Sequence, residues 1–298
     1  MHIPYMDIFV VGCGGIGGYV LNLLPQTMAC LLVDDMTETS PERARAVLRA
    51  EGIDENISVY NRFHRLVLID GDSFSGHNAL RQNGIAGSKL AVQMAKLRAQ
   101  DAMTTWLAST RLQGYNTYVT PKNIEKIFST DSASVKCVFL CVDNHKTRYE
   151  ITQYLEAQRN QHILLINGGN KKTSGNVTVF ENAYGQLKDP PIYKLYPEVN
   201  DKHDLRPDEV DCGSVTAEND QTAITNNMIA SIMLAVFTKW VRNGSDGLNQ
   251  KLSKRGADGS NLIVRKNEWV VDFETMTMMS LAHSPTVDNR ELSILVEQ

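Results

Sequence analysis

Apolar positions along the chain follow two rhythms. Near-continuous apolar runs occur at Asp7-Ile-Phe-Val-Val11, Leu66-Val-Leu-Ile-Asp70, Val135-Lys-Cys-Val-Phe-Leu-Cys-Val142 and His162-Ile-Leu-Leu-Ile166. Runs of this kind predict strands buried on both faces, as in a parallel sheet. Gly114-Tyr-Asn-Thr-Tyr-Val-Thr120 predicts a further strand, and Ser174-Gly-Asn-Val-Thr-Val-Phe180 an antiparallel addition. Helical spacing appears between them. Ile16 to Leu24, Ser88 to about Leu107 with Leu90, Met94 and Leu97 on one face, and Lys146 to Arg159 each predict a helix. Thr222 to Trp240 carries the strongest pattern. Ile224, Met228, Ile232 and Val236 recur at four-residue steps, and Ile229, Met233, Phe237 and Trp240 widen the face, so this helix is expected to be buried.

Strands alternating with helices imply a Rossmann-like, doubly wound α/β fold. Its sheet is mainly parallel, with antiparallel additions and a C-terminal hairpin. The hairpin is expected over 262–273, turning near Lys266-Asn267. Some stretches are less regular. Residues 26–65 read as an insertion, in which Ala29-Cys-Leu-Leu-Val33 fits a strand or a buried helix and Ser40-Pro-Glu-Arg43 fits a helix N-cap. Asp189 to Asp211, rich in proline and charge, is expected to cross the protein as a loop without regular structure. The whole chain, 1–298, is read as one unit, with a nucleotide-binding core over 1–170 and a substrate-side part over 171–298.

Composition narrows the function classes. A length of 298 residues with 42 % hydrophobic content is ample for a large core. A net charge of -4 and a pI near 6.0 disfavour nucleic acid as a partner. No apolar run approaches the roughly 20 residues that span a bilayer, and no signal-peptide pattern opens the chain, so a cytoplasmic protein with no membrane partner is expected. The five cysteines, Cys13, Cys30, Cys137, Cys141 and Cys212, include no Cys-x-x-Cys pair, which fits a reducing compartment and argues against structural zinc. Cys137 and Cys141 are expected in the core.

The first strand runs into Gly12-Cys-Gly-Gly-Ile-Gly-Gly18. Glycines at 12, 14, 15 and 17 let backbone amides approach phosphates at a helix N-terminus. Alone, this turn also fits an NAD-dependent oxidoreductase, with Asp34 or Asp35 binding a ribose hydroxyl. The second strand then ends in Asp70-Gly-Asp-Ser-Phe-Ser-Gly-His-Asn-Ala-Leu-Arg-Gln82, for which a dehydrogenase has no use.

Here the chain resembles the ThiF/MoeB and ubiquitin-activating superfamily, in which an acidic pair precedes an Asn-x-x-Arg-Gln element. Further matches follow in order: Lys89 at the start of the next helix, Asp143-Asn144 with Arg148, and Cys212 ahead of the last long helix. Asn167-Gly-Gly-Asn170, Ser174-Gly175, Leu195-Tyr-Pro-Glu198 and Thr225-Asn-Asn227 are similar to the ThiF-like proteins of PRTRC systems on bacterial mobile elements. The resemblance implies ATP-dependent adenylation of a carboxylate, with ATP and Mg²⁺ as cofactors. It implies Asp70, with Asp72 beside it, at the ribose, Asn78, Arg81 and Lys89 at the phosphates, and Asp143, followed by Asn144, as the Mg²⁺ ligand. It further implies Cys212 as a thioester nucleophile, against which stands the alternative of a loop residue packed on the helix. Arg148, on the following helix, is read as structural more readily than as directly catalytic. The implied partner is a ubiquitin-like small protein ending in glycine, and a homodimer is compatible with the pattern. Rivals within and outside the superfamily are adenylation of a small-molecule or tRNA-linked carboxylate, the NAD enzyme, and a noncatalytic binding module.

Overall fold

The apolar runs become the middle of one sheet. The computed structural model describes residues 4–39, 62–74, 89–94, 107, 110–129, 134–200, 204, 206, 209, 222–255 and 261–284. Five strands lie parallel: β1 (Met6–Val11), β2 (Phe63–Ile69), β3 (Arg111–Tyr115), β4 (Val135–Leu140) and β5 (His162–Asn170), in the order β3-β2-β1-β4-β5. β6 (Ser174–Ala183) turns back antiparallel to β5, and the short β7 (Gln186–Leu187) pairs with it. β8 (Asn249–Arg255) and β9 (Asn261–Arg265) form a separate ribbon, while β10 (Glu268–Asp272) joins β6 and carries β11 (Thr277–Leu281) at the edge.

Side chains alternate across this sheet, which makes three layers. Met6, Ile8 and Val10 of β1 point into a core shared with α1 (Gly15–Thr39) and the last long helix, whereas Phe9 and Val11 point into a second core. That second core contains Ile124 and Ile127 of α2 (Ile124–Ile127) and Ile151 and Leu155 of α3 (His145–Glu156). The mainly parallel sheet with antiparallel additions is therefore as expected.

Several local expectations need correction. The first helix does not stop at Leu24 but continues to Thr39 through Pro25, so Ala29 to Val33 is helix. Proline inside a helix costs about 3 kcal/mol. Leu24, Met28, Leu31 and Leu32 on the same helix are all buried, and at about 1.5–3 kcal/mol each they outweigh that cost. Residues 40–61 of the supposed insertion, including Ser40, lie outside the described residues, as does most of the expected helix 88–107, and residues 63–65 belong to β2 rather than to an insertion. β3 ends at Tyr115 rather than Thr120, because its partner ends there too: Ile69 pairs with Tyr115. The stretch after Asp189 is not simply a loop. It forms α4 (Ile192–Leu195) and a 3₁₀ turn, Pro197–Asn200, held down by Tyr193 on Glu156 and Tyr196 on Glu268.

β9 and β10 do not pair as a hairpin. The chain changes sheets at Lys266-Asn267, where Asn267 donates to Asp189 Oδ1 (3.0 Å) and Lys266 N–H to Leu248 O (2.8 Å). The C-terminal hairpin is instead β10–β11. The last long helix is α5 (Ala223–Asn243), capped by Thr222, whose hydroxyl accepts from Thr225 N–H. Ile229, Met233, Phe237 and Trp240 are buried as expected, but Ile224 is 72 % and Met228 42 % exposed. By length and composition α1 and α5 are apolar enough to cross a bilayer, and each lays one face on the sheet as a core helix.

Candidate active site

β1 stops at Val11, and the chain must turn at once to begin α1. Gly12 makes that turn at φ +83°, a region where an L side chain is strained. A Cβ there would also sit 2.8 Å from the Cys141 carbonyl oxygen, and one on Gly17 would sit 1.8 Å from the Gly12 oxygen. Gly12 N–H donates to Ile69 O (2.9 Å) and Cys141 N–H to Val11 O (2.8 Å). The ends of β2, β1 and β4 are thus held side by side where the strand order reverses, the place at which open α/β sheets bind ligands. Gly14 and Gly15 line the resulting cleft, which has a volume of about 280 Å³. Gly15 opens α1, so the positive end of the helix dipole faces it.

Asp70 follows β2 directly and forms one wall. Its Oδ2 accepts Cys13 N–H (2.7 Å) and its Oδ1 accepts Asp72 N–H (2.7 Å). Cys13, between the glycines, therefore serves the site through its backbone. Burial pushes the Asp70 carboxyl up from its ordinary 3.8 to about 7; the two backbone donors oppose this, and the charges of Asp72 and Asp143 add to it. Asp72 also lines the cleft and accepts from the Tyr118 hydroxyl. Lys89 is exposed beside the cleft, bridged through its backbone to Ser73, while its neighbour Leu90 reaches the lining.

The opposite wall comes from the end of β4. Asp143 is exposed to the cleft. Asn144 starts α3 as its cap, its Oδ1 accepting from Thr147 N–H (2.9 Å). Arg148, one turn into α3, is buried and turns its guanidinium on this end of the sheet. It donates to Val142 O (2.5 Å), Gly168 O (3.2 Å) and Asn167 Oδ1 (3.0 Å). These bonds fix the turn that bears Asp143, so the guanidinium is a structural brace; burial lowers its pKa, opposed by Asp143.

The structure brings Gly12, Gly14, Gly15, Asp70, Asp72, Asp143 and Asn144 into one cleft, and Gly17 packs the turn behind it. Asn78, Arg81 and Cys212 lie outside the described residues. Cys141 is not core as expected: it is half-buried just past β4 and lines the cleft. Burial pushes its thiol up to about 12, with Arg148 opposing, so at neutral pH it is a thiol and a poor nucleophile. Asp34 and Asp35, the acids of the NAD reading, sit on α1 away from the cleft, Asp34 paired with Arg242. Tyr118 escaped the sequence reading, which put it inside a strand.

No curated protein matches the chain in sequence. Among solved structures it is similar to PaaA, with 11 % identity, 94 % of this chain and 73 % of that one covered, and a TM-score of 0.54. It is also similar to Escherichia coli MccB with MccA-N7isoASN, with 13 % identity, 96 % and 67 % covered, and a TM-score of 0.55. MccB with ATP gives 13 % identity, 95 % and 66 % covered, and a TM-score of 0.53. The chain spans about two thirds of the MccB length, and at these identities the likeness shows the fold. The model of the ThiF family matches residues 59–279, from β2 through β10 and so across both acidic strand ends of the cleft, and the chain belongs to the ThiF family.

Proposed function

We propose that this chain is an adenylyltransferase that uses ATP to activate the C-terminal carboxylate of a ubiquitin-like or sulfur-carrier-like small protein, releasing pyrophosphate. The observation that carries the reading is the cleft itself. Asp70 and Asp143 stand on strand ends either side of a phosphate-sized glycine turn, and family membership makes adenylation the expected chemistry of that arrangement. MccB crystallised with ATP, and with AMPCPP and MccA together, supports a nucleotide and an acceptor on this fold.

In this reading the glycine turn and α1 cradle the triphosphate, Asp70 accepts from ribose hydroxyls, and Asn78, Arg81 and Lys89 neutralise phosphate oxygens. The acceptor carboxylate attacks the α-phosphorus, the bond to pyrophosphate breaks, and electrostatic stabilisation of the departing charge supplies most of the catalysis. Mg²⁺ is a hard cation usually held by one or two carboxylates plus substrate phosphates, and Asp143, exposed in the cleft, is the oxygen ligand for it. When bound, Mg²⁺ supplies charge neutralisation at the phosphates. Cys212, as a thiolate, would then attack the acyl carbon and release AMP, leaving a thioester.

The test is ATP–pyrophosphate exchange with Arg81→Ala and Asp143→Ala, both expected to lose exchange while folded; wild-type exchange in both sinks the assignment. Incubation with Mg-ATP and small proteins ending in glycine, read by intact mass, tests the acceptor. Cys212→Ala should keep the adenylate and lose any thioester, and an adduct on another cysteine refutes that role.

A further inference from the structure

This inference rests on the adenylation reading, which orients the nucleotide: triphosphate at the glycine turn and Asp143, ribose at Asp70. A nucleotide runs phosphate, ribose, base. The base must therefore continue past Asp70, away from β1 and toward β3. The segment that follows β3 lies there, since Asp70 N–H donates to Tyr115 O (3.1 Å), and Thr117, Tyr118 and Val119 line that end of the cleft. We infer that Tyr118 is a base-positioning residue, its ring forming the wall on which the nucleotide base stacks.

Three features hold the ring in place before any ligand arrives. Gly71 lets it lie directly on the backbone between the two acids, because a Cβ on Gly71 would stand 2.6 Å from ring atoms Cδ2 and Cε2. The hydroxyl donates to Asp72 Oδ1, which ties the ring to the strand end that carries Asp70. The loop beneath is braced by Asn123, whose amide donates to Tyr118 O (2.9 Å) and whose Oδ1 accepts Thr120 N–H (2.8 Å). A half-buried aromatic fixed at three points beside a ribose-binding acid is preorganised for a flat ligand, and stacking on such a ring is tolerant of the base presented.

Calorimetric titration with Mg-ATP and, separately, with inorganic tripolyphosphate separates the base from the phosphate end. Tyr118→Ala is expected to weaken ATP binding by about tenfold or more while leaving tripolyphosphate binding unchanged. Tyr118→Phe, which keeps the ring, should retain most of the ATP affinity. Gly71→Ala, which displaces the ring without removing it, should behave like Tyr118→Ala and decides the matter if that variant does not fold. Wild-type ATP affinity in Tyr118→Ala, or equal loss of ATP and tripolyphosphate, overturns the inference alone. A wild-type protein that binds neither probe overturns the adenylation reading and this inference with it.

Discussion

Asp70→Asn should make the protein less pH-sensitive and nearly unable to bind nucleotide. The Asp70 carboxyl is held at about 7 in the fold against 3.8 ordinarily, chiefly by burial. The folded state therefore keeps a proton that the unfolded chain releases. Stability from this group is complete below pH 3.8 and is lost as pH rises through about 7. Linkage puts the full loss at about 4 kcal/mol by pH 8, of which about 1–2 kcal/mol has already gone at pH 5. Between pH 5 and pH 8 the wild type should thus lose about 2–3 kcal/mol that Asp70→Asn keeps. The amide brings its own cost. Cys13 N–H and Asp72 N–H bond different carboxylate oxygens, and one would face an NH₂ group, at about 1–3 kcal/mol. The variant is then within about 1–2 kcal/mol of wild type at pH 5 and about 1–3 kcal/mol the more stable protein at pH 8. Urea unfolding at pH 5, 6, 7 and 8 measures the difference, and Mg-ATP titration on the same samples measures binding. Wild-type affinity should rise from pH 6 to 8 as the carboxylate forms. A wild-type minus variant stability that stays flat across this range, or a variant that binds ATP as wild type does, refutes the reasoning.

Arg265→Ala should destabilise by about 3–5 kcal/mol in urea unfolding, because it strands two fully buried acids, Glu181 and Asp189, which Arg265 contacts at 2.6 Å each. Arg148→Ala, leaving Val142 O, Gly168 O and the Asn167 side chain without their donor, should cost about 2–4 kcal/mol and lower pyrophosphate exchange by loosening the Asp143 turn. Lys136 is 1 % exposed, bonded to Gln161 Oε1 (2.6 Å), and burial brings its pKa down from 10.5 to about 8. The folded state releases that proton first, so Lys136→Met should be the more stable protein at pH 7, by about 1–2 kcal/mol, with the gap in melting curves closing as pH rises from 8 to 10.5; a gap that widens contradicts the burial argument.

Much of the cleft was legible in the sequence because its chemistry sits where apolar runs end. β1 hands over to Gly12, β2 to Asp70 and β4 to Asp143, and a strand buried on both faces leaves no other place for a polar side chain to meet a ligand. What stayed hidden depends on partners distant along the chain. Tyr118 read as strand because Tyr-Val-Thr alternates suitably, and only the pairing of Ile69 with Tyr115 ends β3 before it. Ile224 and Met228 share the four-residue row of α5, yet which flank of a broadly apolar helix faces the sheet is set by the neighbouring layer. Arg265 stands in the run Asn261-Leu-Ile-Val-Arg265 with nothing local to single it out. Its partner Glu181 also accepts from Trp240 Nε1 (3.1 Å), Ser245 Oγ (2.9 Å) and His162, a gathering of four elements that no local pattern announces.

The two buried charge arrangements differ in a way that bears on function. At Glu181, burial raises the carboxyl pKa, but His162, Arg265, Ser245 and Trp240 together bring it down to about 2, so that site is complete within the chain and serves the fold. At Asp70, among the described residues, backbone donors alone answer burial, and the charges that act on it, Asp72 and Asp143, are like ones. Arg148, the buried cation beside the cleft, directs its bonds to Val142, Gly168 and Asn167 instead. A fold that can pair a buried acid so fully at one end of its sheet leaves the acid at the other end costly, and in the proposed adenylation that cost would fall as nucleotide hydroxyls reach Asp70 and Mg²⁺ reaches Asp143. On that proposal the strand-end acids are explained by what they bind rather than by what they stabilise.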